Sequence, residues 1–263
     1  LRVNEDGEET MNEKLLLKVE SVSKNYEEVR VLDGFSMEAK RDEILCIIGP
    51  SGCGKSTMLN IISGLIQPTY GQLINKSQNT SYVFQEDRLI PWKDIYQNIQ
   101  IVNDESSHEC CMELIEKVGL KGFEGFYPHE LSGGMRQRCS IARAFNYDAD
   151  LLLMDEPFKS LDYNLRIGMI RYLLMLWENK NKTIVFVTHE IDEALLLGDR
   201  ILVLSNRPTK VVAEFKLQEA KEKRKLTDRS LGIVRNQILE LLQSDGMIAA
   251  KKMEKAKRDP IYA

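Results

Sequence analysis

Ile44-Leu45-Cys46-Ile47-Ile48-Gly49-Pro50-Ser51-Gly52-Cys53-Gly54-Lys55-Ser56-Thr57 decides the fold of this chain. Five apolar residues in a row suit a strand buried on both faces of a parallel-type sheet. The strand runs straight into G-x-x-x-x-G-K-[ST], filled by Gly49, Gly54, Lys55 and Ser56. Beyond it, Met58, Leu59, Ile61, Ile62 and Leu65 recur at helical spacing, and Gly64 and Pro68 bring that helix to a stop. Glycines let the loop wrap phosphates with its backbone N–H groups, and the helix N-terminus adds its positive dipole end. Lys55 supplies a point charge for the β- and γ-phosphates, and the Ser56 hydroxyl is a ligand for Mg²⁺. A strand–loop–helix of this kind binds a nucleoside triphosphate.

Two further strands carry the chemistry such a loop needs. Leu151-Leu152-Leu153-Met154 ends in Asp155-Glu156-Pro157. A buried strand here delivers a carboxylate to the C-terminal edge of the sheet, where open α/β sheets place ligands. Asp155 is expected to hold Mg²⁺ through its shell, and Glu156 to act as general base toward water. Thr183-Ile184-Val185-Phe186-Val187-Thr188 is β-branched and apolar and ends at His189-Glu190. Its place after Asp155 in the chain predicts that His189 reaches the same edge, to hydrogen-bond the γ-phosphate and orient Glu156.

Leu131-Ser132-Gly133-Gly134-Met135-Arg136-Gln137-Arg138 is a second phosphate device. Ser132 is expected to cap a helix starting at Gly133 or Gly134, so its hydroxyl and the bare N–H groups form an anion site. One chain has little use for two such devices unless they face each other across a dimer. Arg136, Arg138 and Arg143 are expected to brace this helix.

Composition narrows the class. The 263 residues carry 36 Lys+Arg against 40 Asp+Glu, a formal charge of −4, so nothing in the balance points to nucleic acid. No apolar run reaches the roughly 18 residues that span a bilayer, and no apolar secretory core opens the chain. The expectation is a soluble intracellular protein. The five cysteines form no C-x-x-C pair, which reads as free thiols, and the three histidines have no metal-ligand spacing.

Residues 1–14 are acidic and read as a disordered leader. Residues 15–215 read as one ATP-binding domain: an antiparallel β-rich portion to residue 84, a helical arm at about 86–145, and a return to the core sheet. Residues 216–263 read as a helical tail, docked through Leu231, Val234, Ile238, Leu241 and Leu242. The Lys-rich stretch after Lys251 reads as a solvated helix or frayed end. The fold class is α/β, a P-loop NTPase core with an antiparallel β subdomain and a helical subdomain bearing the Ser-Gly-Gly signature.

Together these blocks resemble the ATP-binding subunits of ABC (ATP-binding cassette) transporters over residues 17–208. The resemblance implies that Tyr26 stacks on adenine and that Gly49, Pro50, Ser51, Gly52, Cys53, Gly54, Lys55, Ser56 and Thr57 bind ATP. It also implies that Gln85, in Tyr82-Val83-Phe84-Gln85-Glu86, senses Mg²⁺ and the attacking water. Ser160-Leu161-Asp162 matches the D-loop. Ser132, Gly133 and Gly134 would contact the γ-phosphate held by the other subunit, so two ATP molecules are sandwiched in a homodimer. Glu156, His189, Gln85 and Lys55 would be catalytic, with Ser56, Gln85 and Asp155 toward Mg²⁺.

A finer resemblance runs through Phe84-Gln85-Glu86-Asp87-Arg88-Leu89-Ile90-Pro91-Trp92 with Asn98-Ile99, and through Leu204-Ser205-Asn206-Arg207-Pro208. It is to importer subunits for nitrate, aliphatic sulfonates, taurine and thiamine or pyrimidine precursors. That implies a peripheral protein on the cytoplasmic face of the membrane. Its permease partners would be gripped near Gln85 to Trp92, and an extracytoplasmic solute-binding protein would be an indirect partner. The alternative reading of Pro91 and Trp92 is core of the helical arm. Exporter and soluble non-transport ATPases of the same family are the alternative functions. Lys159, where relatives more often have Gly, and Ala149, where a proline often stands, depart from the pattern without removing a catalytic group.

Overall fold

A computed structural model of the chain describes residues 14–159, 161–178 and 182–258, with side chains through residue 244. The expected leader and Ser160 of the D-loop therefore lie outside the described residues, apart from Lys14. The elements run β1 (Leu15–Tyr26), β2 (Val29–Lys40), β3 (Ile44–Ile48), α1 (Lys55–Ile62), β4 (Tyr70–Asn75) and β5 (Thr80–Val83). They continue with α2 (Ile95–Gln100), α3 (His108–Lys117), α4 (Gly133–Asn146), β6 (Leu151–Asp155), α5 (Tyr163–Glu178) and β7 (Thr183–Thr188). The last are α6 (Ile191–Leu197), β8 (Arg200–Leu204), β9 (Val211–Lys216) and α7 (Arg229–Arg258). The described residues form two compact units, one holding residues 14–18, 38–44 and 74–186, the other residues 19–37, 45–73 and 187–258.

In the first unit β5, β6 and β7 are neighbours in that order. β5 and β6 are parallel, Thr80 opposite Leu151 through Val83 opposite Met154. Every residue of β6 and β7 is buried, as the unbroken apolar runs predict for strands covered on both faces. The helices begin where side chains satisfy their orphan N–H groups. Asp94 and Gln97 form a capping box on α2, Ser107 caps α3 and Ser132 caps α4. Asn146, buried at the end of α4, donates from Nδ2 to Ile99 O at 2.9 Å and so ties α4 to α2.

In the second unit β3 and β8 are parallel, Leu45 opposite Arg200 through Ile48 opposite Val203. β9 closes this side antiparallel to β8. It alternates half-buried and exposed residues, the period-2 pattern of a strand with one wet face. A three-stranded sheet, β2-β1-β4, begins with a hairpin whose two connecting residues, Glu27 and Glu28, force antiparallel strands. α7 docks on α6 through the Arg235–Asp192 ion pair, with Leu231 and Ile238 buried beneath it. Arg224 donates to Leu195 O at 3.1 Å and Gly198 O at 2.7 Å, satisfying carbonyls at the end of α6.

Two details depart from expectation. The helix after the phosphate loop ends at Ile62 and leaves Leu65 60% exposed. Gly64, at φ 78°, already turns the chain away, its N–H donating to Ile61 O at 3.0 Å. Residues 15–84 are not uniformly antiparallel, because β3 and β5 within that span have parallel neighbours.

Candidate functional site

The predicted residues fall into both units. Tyr26, residues 49–57 and His189 belong to the second, and Gln85, Ser132 to Gly134, Asp155 and Glu156 to the first.

The phosphate loop leaves β3 and enters α1 through Gly54, whose φ of 125° suits glycine alone. A Cβ there would lie 2.7 Å from Val31 Cγ1. No side chain caps α1, and the N-terminal turn of such a helix is where an anion binds. Lys55 is buried, and its Nζ donates to Gly49 O at 2.9 Å and Pro50 O at 3.0 Å. The loop thus holds its cation folded over its own carbonyls. Ser56 is exposed on the first turn and Thr57 half-buried. Burial pushes the Cys53 thiol up, against the pull of Lys55 and Arg207.

Sequence reasoning missed Thr209, which is fully buried. Its hydroxyl donates to Cys53 O, and its backbone N–H donates to Val31 O at 2.9 Å. It pins the loop to β2. The signal was a polar residue just after the quoted Leu204-to-Pro208 run, with nothing local to mark its partner.

Tyr26 ends β1 and is 46% exposed, with Lys24 Nζ over its ring at 5.3 Å from the centroid. His189 follows β7, and its Nε2 lies 3.7 Å from Glu190 Oε1. The strand end is fixed by Thr188, which donates to Glu193 Oε2 at 2.6 Å and accepts from Glu190 N at 3.0 Å.

In the first unit, Gln85 and the residues after it share a cleft of about 450 Å³ with Gly133, Arg136 and Gln137. Arg136 Nε donates to Asp87 Oδ2 at 2.8 Å, and its Nη1 donates to Leu131 O at 2.7 Å. Arg143 donates to Arg88 O at 3.0 Å and Asp87 O at 3.2 Å. These arginines strap the segment after Gln85 to α4, and Arg138 braces the same helix against Val118 O and Gly119 O. Ser132 Oγ accepts from Met135 N at 3.3 Å, which leaves other N–H groups of the first turn unclaimed by the cap. A Cβ on Gly134 would come within 2.9 Å of Leu161 Cδ2, so a larger residue here would have to displace that side chain.

Trp92 is 76% exposed, which removes it from the core of the arm. Its turn is rigid because Asn98, fully buried, accepts from Ile90 N at 2.8 Å and donates to Lys93 O at 2.8 Å and Ile90 O at 3.1 Å. A bulky aromatic is thus held out into solvent on a fixed platform.

Asp155 closes β6 and is buried. Glu156 follows at φ 44°, an unfavourable backbone for a residue with a Cβ and a mark of functional sites. Its carboxylate is nearly buried and meets Lys159 Nζ, with Oε2 at 3.2 Å. Among the described residues no three His, Cys, Asp or Glu side chains form a metal cluster.

A family model described as ABC transporter matches residues 32–159. An aliphatic sulfonates import ATP-binding protein of Bacillus cereus is 38% identical over 250 residues, 89% of this chain and 98% of that protein. A taurine import ATP-binding protein of Rhizobium johnstonii is 41% identical over 202 residues, 72% of this chain and 77% of the relative. Among solved structures, a dimeric post-hydrolysis ATP-binding cassette bound to ADP and phosphate matches with TM-score 0.68 and 31% identity. That match covers 78% of this chain and all of the other.

Proposed function

This chain belongs to the ABC transporter ATP-binding family, and on that premise we propose that it is the ATP-hydrolysing subunit of an importer for a small anionic solute of the sulfonate or taurine type. The observation that carries this reading is the phosphate loop, with an uncapped α1 and a buried Lys55 folded onto its carbonyls. On binding, the triphosphate takes the α1 N–H groups and the Lys55 ammonium in charge-assisted hydrogen bonds. Tyr26 stacks on the adenine.

Ser56, Gln85 and Asp155 offer a hydroxyl, an amide and a carboxylate, an all-oxygen set that suits Mg²⁺ completed by substrate phosphates and water. Held there, the ion would supply positive charge to the triphosphate. Glu156 accepts the proton of a water whose oxygen bonds to the γ-phosphorus as the bond to the β,γ-bridging oxygen breaks, giving ADP and phosphate. His189 holds the γ-phosphate. Catalysis here is positioning and electrostatics.

Ser132, Gly133 and Gly134 complete the site of a second subunit, so two ATP molecules close a homodimer. The platform at Pro91 and Trp92 passes that closure to a membrane permease. Among the described residues no helix is long and apolar enough to cross a membrane, which fits a subunit that works with a separate permease. The solute is chosen by the permease and its binding protein, which the ATPase serves without touching the solute. The import reading is favoured over export because the relatives are named for import.

Gel filtration with ATP tests the core of the proposal. Glu156→Gln is expected to stop hydrolysis and accumulate an ATP-bound dimer. A Glu156→Gln chain that stays monomeric with ATP, beside a wild type that hydrolyses normally, would sink the sandwich.

A further inference from the structure

The turn after the acidic strand carries a cation that the proposed mechanism does not use. Lys159 N–H donates to Glu156 O at 3.2 Å, closing a four-residue turn over Pro157 and Phe158. Phe158 anchors that turn, fully buried with its ring 5.5 Å from that of Phe186. The anchored turn brings the half-exposed Lys159 ammonium back onto the Glu156 carboxylate, 3.2 Å from Oε2. The contact is an ion pair and not an aligned hydrogen bond.

We propose that Lys159 is a positioning residue that restrains the Glu156 carboxylate and slows ATP hydrolysis until it lets go. This rests on the reading of Glu156 as the group that activates water. A carboxylate does that with an oxygen turned to the water, and an ammonium drawn to Oε2 opposes turning the group away from Lys159. The opposition is weak, because a half-exposed Lys keeps much of its hydration and an exposed pair of this kind is held loosely. Lys159 is therefore a brake of a few fold and not a lock. Neither ATP affinity nor folding depends on it: the Phe158 anchor and the backbone hydrogen bond shape the turn without its side chain.

Steady-state ATPase assays on the full chain, at fixed protein concentration, test this. Lys159→Gln should raise kcat about threefold to fivefold with KM for ATP within twofold and an unchanged unfolding midpoint. Lys159→Arg, which keeps the charge at the turn, should restore the slow rate. The lifetime of the ATP-bound dimer on gel filtration supplies a second readout. Lys159→Gln should shorten it, and in a Glu156→Gln background the same change should have no effect. A Lys159→Gln kcat at or below wild type overturns the proposal, as does a dimer lifetime that shifts equally in the Glu156→Gln background. If Glu156→Gln itself hydrolyses ATP at the wild-type rate, the reading of Glu156 fails instead, a result distinct from a Lys159 variant that merely fails to accelerate.

Discussion

Single atoms decide whether the phosphate loop keeps its shape. Gly54→Ala asks a residue with a Cβ to adopt φ 125° while that Cβ sits 2.7 Å from Val31 Cγ1 and 3.3 Å from Leu32 Cδ2. Strain and clash together should cost about 2 kcal/mol or more. Equilibrium urea unfolding should record that loss, and a fluorescent ATP analogue should no longer bind. Thr209→Val is the subtler case. It keeps the shape but deletes the hydroxyl that donates to Cys53 O, leaving a buried carbonyl short of a partner. A loss of about 1–3 kcal/mol follows, seen as a lower urea midpoint with unchanged slope, and Thr209→Ser should recover most of it. Gly54 was legible in the sequence because its neighbours in the chain define its task. Thr209 was not: its partner is 156 residues away, and no local pattern records a contact of that separation.

At the scale of elements, α4 separates capping from anion binding. Ser132→Asp keeps a good N-cap, so unfolding stability should stay within about 0.5 kcal/mol of wild type. It also places a negative charge where a partner's γ-phosphate would sit, so the ATP-dependent dimer of a Glu156→Gln background should disappear on gel filtration. Ser132→Ala should instead cost about 1 kcal/mol of stability through the lost cap. If Ser132→Asp still dimerises with ATP, α4 is not the phosphate-binding partner helix. The platform at Trp92 makes a converse case. Trp92→Ala removes a side chain that is 76% exposed, so stability should move little while co-purification with permease subunits is lost. Strand interiors and helix starts were readable because periodicity and caps are local signals, as at Leu151–Asp155 and Ser132. The end of α1 at Ile62 and the exposure of Trp92 were not. An apolar residue after a stop signal, or in a turn, reads the same whether it packs or protrudes.

For the molecule as a whole, the buried thiols give stability a sign in alkali. Burial pushes the Cys46 thiol up strongly, and nearby Asp199 and Glu193 push it the same way. Burial also pushes the Cys139 thiol up to about 12. An unfolded cysteine ionises near 9.0, so from there upward the unfolded chain sheds protons that the folded chain retains. The folded state binds more protons in that window, and stability therefore falls as pH rises, whereas below about pH 9 the contribution is fully present. The unfolding midpoint in urea should accordingly hold level from pH 7 to 8.5 and decline from pH 9 to 11. Tyr82, whose phenol burial also raises, steepens the upper end of that decline. The double variant Cys46→Ala/Cys139→Ala loses packing and starts lower at pH 7, yet its midpoint should fall less between pH 9 and 11. It is the difference in slope that tests the idea, since the cavities left by two alanines cost the same at every pH. Equal slopes for wild type and double variant would mean that the thiols are not what alkali titrates in this fold.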